Sequence, residues 1–246
     1  MERYQVILAY DGTQFEGFQR QGKARTVQGV VEAALRQIGW QGRTILAAGR
    51  TDSGVHATGQ VIAFDLAWPH PEEDLLRALN ANLPLDVAAR SVKAVAASFH
   101  PRFDALARSY CYHIECEPVR SPLRERYAWR VWPPLALVSL EQAARYLPGR
   151  HDFAAFGTPP HPKGSTVRTV FAAGWSLDGT RLVFTIRADA FLYHMVRRLV
   201  AAQVQIGQGL RPPEALAEAL ETTLPLTQGL APPQGLVLTQ VDYPPN

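Results

Sequence analysis

Gly49-Arg50-Thr51-Asp52-Ser53-Gly54-Val55-His56-Ala57 stands between two short apolar runs, Thr44-Ile45-Leu46-Ala47-Ala48 and Gln60-Val61-Ile62-Ala63-Phe64. Both runs read as buried strands. Neighbouring strands are usually joined by about two to five residues. This link is expected to run from Gly49 to Gly59, with three glycines and with an Arg and an Asp two positions apart. A long, glycine-hinged, charged loop on a rigid sheet is where chemistry is usually placed. Asp and Gly also form turns for backbone reasons alone. The spacing therefore leaves Asp52 open between a turn residue and a functional carboxylate.

Outward from this unit the periodicity alternates between strand and helix. Residues 4–10 alternate, with Val6, Leu8 and Tyr10 on one face, and end at an Asp11-Gly12 turn. Thr26 reads as an N-cap for a helix carrying Val27, Val30, Val31, Ala34, Leu35 and Ile38, with Gly39 as its stop. Pro71-Glu72-Glu73-Asp74 opens a second helix, its acids at the positive end of the dipole. A strand over 87–95 follows. The order β-α-β-β-α-β is the split β-α-β or ferredoxin-like unit.

The second half repeats that order. A strand is expected over 108–117. Ser139 and Gln142 form a capping-box pattern. Strands over 168–177 and 181–188 are joined by Asp178-Gly179, a hairpin signal. A two-residue loop there sets Leu177 opposite Thr180, Trp175 opposite Leu182, Ala173 opposite Phe184 and Phe171 opposite Ile186. Helices over 193–206 and 213–221 and a strand over 236–243 complete the half. The fold class expected is α/β (α+β): two pseudo-equivalent ferredoxin-like halves, residues 1–104 and 105–246, with an active-site cleft between them. Residues 117–134 carry Arg120, Arg124, Arg126 and Arg130, and read either as a solvated connector or as an insertion facing RNA or a second subunit. Residues 158–163 and 225–234 read as Pro-rich loops, the first expected to be mobile.

With 246 residues, 47% of them apolar, the chain is long enough for a real core. Its net charge of +3 and pI near 9.0 suit a nucleic-acid partner without requiring one. No signal sequence and no apolar run of the roughly 18–20 residues needed to span a bilayer is visible, so a cytoplasmic protein is expected. Cys111 and Cys116 lie five residues apart on one expected strand, about 16 Å in extended chain, too far for a disulfide. No zinc spacing, P-loop or dinucleotide fingerprint is present, so neither metal nor cofactor is expected.

The string Gly49–Ala57 resembles the active-site loop of the tRNA pseudouridine synthase A family. Tyr10-Asp11-Gly12, Gly17-Phe18-Gln19-Arg20-Gln21, Ala107-Arg108-Ser109-Tyr110-Cys111-Tyr112, His151-Asp152-Phe153 and His194-Met195-Val196-Arg197 are similar to other family segments, in order along nearly the whole chain. Ser53 stands where the family usually has Ala, and Phe18 where it usually has Trp. The resemblance implies isomerisation of uridine to pseudouridine at positions 38, 39 and 40 of the tRNA anticodon stem and loop, by a homodimer that grips the anticodon arm and elbow.

The same resemblance implies the roles. Asp52 is the nucleophile, and Arg197 pairs with it and keeps it ionised. Tyr110 stacks on the flipped-out uracil, its hydroxyl placed to help with the C5 proton. Arg50 contacts RNA phosphate and holds the flipped-out nucleotide, Arg20 contacts RNA phosphate, Leu238 lines the uracil site, and His56 is structural or an RNA contact. Asp11, Asp104 and Asp152 are read as turn or supporting residues. A non-catalytic RNA-binding protein is the main alternative, although the exposed sheet aromatics of an RNA-recognition domain are not found. A glycosidase would need a second carboxylate about 5–10 Å from the first.

Overall fold

A computed structural model describes residues 1–161 and 163–245, and its contacts divide the chain into two units. The first comprises Met1–Leu106 and the chain from Val237 onward, and the second comprises Ala107–Leu236. The boundary expected at 104/105 assigned the whole C-terminal part to the second half, whereas the last strand belongs to the first unit. Pro162, within the loop expected to be mobile, lies outside the described residues.

The first unit runs β1 (Glu2–Tyr10), α1 (Val27–Gln37), β2 (Leu46–Ala47), β3 (His56–Leu66), α2 (Glu72–Asn82), β4 (Val87–Val95). Its sheet has the order β4-β1-β3, antiparallel throughout, with β2 antiparallel on the outer edge of β3. This is the ferredoxin-like arrangement expected from the element order. Tyr4, Val6, Leu8 and Tyr10 alternate inward at 4% exposure or less. Leu35, Leu75 and Leu79 of the two helices are buried with them, each worth roughly 1.5–3 kcal/mol. Thr26 caps α1, its hydroxyl accepting from the Gly29 N–H, and Gly39 ends the helix at φ 93°.

The expected loop over 49–59 is shorter than its sequence suggests, because β3 begins at His56. Ala57 pairs with Tyr10, while the last strand of the chain runs parallel along His56 and Ala57. Those partners come from remote parts of the chain, and no local pattern reveals them.

The second unit runs β5 (Ala107–Glu115), α3 (Pro122–Glu125), β6 (Trp129–Arg130), α4 (Leu137–Ala144), β7 (Gly149–Asp152), β8 (Val167–Asp178), β9 (Arg181–Ala188), α5 (Met195–Gly207) and α6 (Ala215–Thr222). β10 (Leu236–Asp242) then returns to the first unit, with Val237 opposite His56 and Leu238 opposite Ala57. The strands of the second unit lie in the order β5-β9-β8-β7, and β6 runs parallel to β5. Tyr112, Ile114, Phe184 and Ile186 are buried at 2% exposure or less, as are Leu140 and Leu199 of the helices.

Several local expectations are corrected here. The β8–β9 turn is centred on Gly179-Thr180, so Leu177 faces Leu182, Trp175 faces Phe184 and Ala173 faces Ile186. Gly179 has φ 60°, suited to the first central position of such a turn. Phe171 falls at a bulge between Val170 and Ala172 and is exposed. α4 starts two residues before Ser139, at an Ala136 cap with no side-chain bond, so the capping box does not form. α5 begins at Met195, because His194 takes φ 65° and interrupts the helix expected from 193. Neither cysteine is in a disulfide, and Cys116 lies past the end of β5. Among the described residues no helix is long and apolar enough to cross a membrane.

Candidate active site

The Asp52 loop is fixed by the segment that follows β1. Residues 12–18 fold back along it, through a short 3₁₀ turn over Gly12–Gln14. The Phe18 N–H donates to Thr51 O at 3.0 Å, and the Gly54 N–H donates to Phe15 O at 3.3 Å. Ser53 Oγ donates to the same Phe15 carbonyl at 3.2 Å. Within the loop the Val55 N–H donates to Asp52 O at 3.2 Å, closing a turn over Asp52–Val55. Gly17 makes this packing possible. Its φ is +89°, and a Cβ there would stand 3.0 Å from Thr51 O.

Beneath the loop, Tyr10 Oη and Thr51 Oγ1 share a hydrogen bond of 2.8 Å, with both residues buried. Burial pushes the Tyr10 hydroxyl up to about 12, against the opposing pull of its bonds to Thr51 and Gln60. Gln60 Nε2 donates to Gly49 O at 3.1 Å at the loop's entry. Phe15 and Phe18 are buried, and the Arg25 guanidinium lies 4.1 Å from the Phe15 ring centroid while bonding Asp86 at 2.7 Å. Asp52 itself is half-buried and Arg50 is exposed.

His56 is 5% exposed, and its Nδ1 accepts from the Gly12 N–H at 2.9 Å. The same nitrogen lies 3.2 Å from Asp11 Oδ1. One nitrogen cannot both accept from Gly12 and donate to Asp11, so the Gly12 bond corresponds to a neutral ring protonated at Nε2. His56 thereby anchors the Asp11-Gly12 turn. Arg20 has 48% of its side chain exposed and is paired at 2.5 Å with Glu32. Leu238 is 1% exposed, on β10 opposite Ala57.

In the second unit, Arg197 lies on α5 at 9% exposure. Its Nε donates to Ala231 O at 2.7 Å, and the Ala231 N–H donates back to Arg197 O at 3.2 Å. The first of these bonds holds the guanidinium at Nε, and the second ties the backbone of α5 to the segment around Ala231. Tyr110 is half-buried on β5, packed edge-to-face on Phe191 with centroids 4.9 Å apart. Tyr112, two residues on, is wholly buried and donates to Pro232 O at 2.7 Å. Burial drives its hydroxyl far above the ordinary range, and the Arg197 charge partly opposes this.

Sequence reasoning missed the supports of the loop: Tyr10, Thr51, Gln28 and Glu32. Gln28 and Glu32 are four apart on α1, flanking its apolar stripe, which was the available signal. Among the described residues no cluster of His, Cys, Asp or Glu is placed to hold a metal ion.

A family described as tRNA pseudouridine synthase matches residues 6–104 and 143–244. These spans contain Arg20, Arg50, Asp52, His56, Arg197 and Leu238, while Tyr110 falls between them. A tRNA pseudouridine synthase A of Brevibacillus brevis is 42% identical over 244 residues, 99% of this chain and 100% of the relative. One from Pseudothermotoga lettingae is 40% identical over 247 residues, 99% and 100% of the two chains. One from Syntrophomonas wolfei is 39% identical over 245 residues, 99% and 98% of the two.

Proposed function

The chain belongs to the tRNA pseudouridine synthase family, and from that premise we propose that it acts on uridines 38, 39 and 40 of the tRNA anticodon stem and loop. The reaction is an isomerisation. The N1–C1′ bond breaks, a C5–C1′ bond forms, C5 loses its proton and N1 gains one. No group is imported and nothing is oxidised.

Asp52 is the nucleophile in this reading, attacking either C6 of the uracil or C1′ of the ribose. The supporting observation is the local architecture of its loop. A half-buried carboxylate is held by backbone bonds from residues 12–18 and by a buried Tyr10–Thr51 pair. Such preorganisation is what a reacting group requires.

Arg197 is proposed to pair with Asp52, favouring its ionised form. The bond from its Nε to Ala231 O would aim the remaining donors and reduce the entropy lost on pairing. Tyr110 is the stacking platform for the extruded base, steadied by Phe191. Its hydroxyl is the group nearest in kind to assist the C5 proton. Exposed Arg50 takes a phosphate, and Arg20 can take another with the donors that Glu32 leaves over. Leu238 lines the uracil site, and His56 serves the loop from within. A homodimer gripping the anticodon arm and elbow completes the proposal.

Mapping pseudouridine in unmodified tRNA incubated with the purified protein tests this reading. Modification confined to positions 38–40, with no free uracil released, is expected. Free base would indicate hydrolysis, and pseudouridine elsewhere in the tRNA would overturn the site assignment.

A further inference from the structure

Glu32 is a fully buried carboxylate on α1 with no part in the chemistry described above. Both of its oxygens are engaged. Oε2 accepts from Arg20 Nη1 at 2.5 Å, with Arg36 3.8 Å away. Oε1 accepts from Gln28 Nε2 at 2.8 Å and from the Ile45 N–H at 3.3 Å. Gln28 closes the network, its Oε1 accepting from the Arg20 backbone N–H at 2.9 Å and its Nε2 reaching Thr44 Oγ1 at 2.8 Å. A buried ionised group persists only when paired and hydrogen-bonded, so these contacts act as one unit.

Two segments leave this network, and both lead to Asp52. From Arg20 the chain runs back to Phe18, whose carbonyl accepts from the Gln28 N–H at 2.9 Å and whose N–H holds Thr51 O at 3.0 Å. From Ile45 it runs through β2 to Ala48, whose N–H donates to Val61 O at 2.8 Å. We infer that Glu32 and Arg20 are a positioning pair for Asp52: one buried charge sets the entry to the loop on one oxygen and the arm that clamps it on the other. This rests on the reading that Asp52 is the reacting carboxylate. Directional bonds from a single buried centre hold both segments to one geometry, and a misplacement of about 1 Å lowers a rate on the order of a hundredfold.

Glu32→Gln keeps the shape and removes the charge. A fall in kcat of roughly ten- to a hundredfold is expected, with KM for tRNA within about twofold, because Glu32 is buried away from any ligand. Arg20→Gln changes a half-exposed side chain, and it serves as the probe if Glu32→Gln does not fold by circular dichroism. It should also lower kcat, and adding Glu32→Gln to it should lower kcat little further, because both substitutions break the same contact. If Arg20 only touched RNA, its loss would raise KM and reduce the salt slope by about one with kcat intact. That pattern overturns the inference, as does wild-type kcat in a folded Glu32→Gln protein or full additivity of the two losses in the double variant. Asp52→Asn assayed in parallel separates the two readings. Turnover there removes the nucleophile, whereas an inactive Asp52→Asn beside fully active Arg20 and Glu32 variants removes the positioning pair alone.

Discussion

Tyr10→Phe isolates the buried bond beneath the Asp52 loop. The change deletes one hydroxyl and the 2.8 Å bond to Thr51 Oγ1. A neutral hydrogen bond contributes about 0.5–1.5 kcal/mol net, and stranding a buried partner costs about 1–3 kcal/mol. Thr51 can turn its hydroxyl elsewhere, so a loss of about 1–2 kcal/mol is expected, equivalent to roughly 2–8 °C in Tm for a chain of this size. The pH dependence gives a sharper signature. Burial raises the Tyr10 hydroxyl from 10.0 to about 12. A group whose folded value lies above its unfolded one contributes stability that is complete below the unfolded value and lost as pH rises through the folded one. The relevant window is therefore pH 10 to 12. Linkage gives a loss on the order of 1 kcal/mol by pH 11, about half of the whole component. The phenylalanine variant carries no such component. Urea unfolding of both proteins from pH 8 to 11 should show their stability difference shrinking towards zero. A difference that is constant across that range would refute the burial that raises the hydroxyl, and a variant as stable as wild type at pH 8 would refute the bond to Thr51.

The remaining expectations follow from individual contacts. Gly17→Ala forces a side chain into a backbone at φ +89° and against Thr51 O, and should cost about 1–2 kcal/mol and reduce kcat, read by urea unfolding and pseudouridine assay together. Arg50→Ala should weaken tRNA binding and lower the slope of log affinity against log salt by about one, measured by binding across ionic strength. Tyr110→Phe should keep most tRNA affinity in filter binding while slowing turnover, and a collapse of affinity would count against a stacking platform.

The legible parts of this chain were those fixed by local chemistry. The Thr26 cap, the Gly39 stop, the acids opening α2 and the alternation of Val6, Leu8 and Tyr10 all act within a few residues of themselves, and the structure forms them as read. The Asp52 loop was visible as a glycine-hinged charged string. What stayed hidden depended on remote partners. His56 looked like loop because β10, some 180 residues on, supplies the pairing that makes it strand. The β8–β9 turn moved by one residue, and each cross-strand partner by two, because Gly179 takes the first central position of the turn, a choice that Asp178-Gly179 alone does not settle. Ser139 and Gln142 matched a capping pattern, yet α4 starts earlier, at Leu137. Glu32 gave no signal in the sequence, since nothing local shows that Arg20, Gln28 and Ile45 converge on it.

Single-turnover formation of pseudouridine by Asp52→Asn, alongside tRNA affinity, tests the nucleophile most directly. The substitution keeps the side chain's size and removes its capacity to form the covalent adduct. Affinity within a few-fold of wild type and no detectable pseudouridine are expected. Turnover within about a hundredfold of wild type would contradict a nucleophilic Asp52 and move the chemistry to another group.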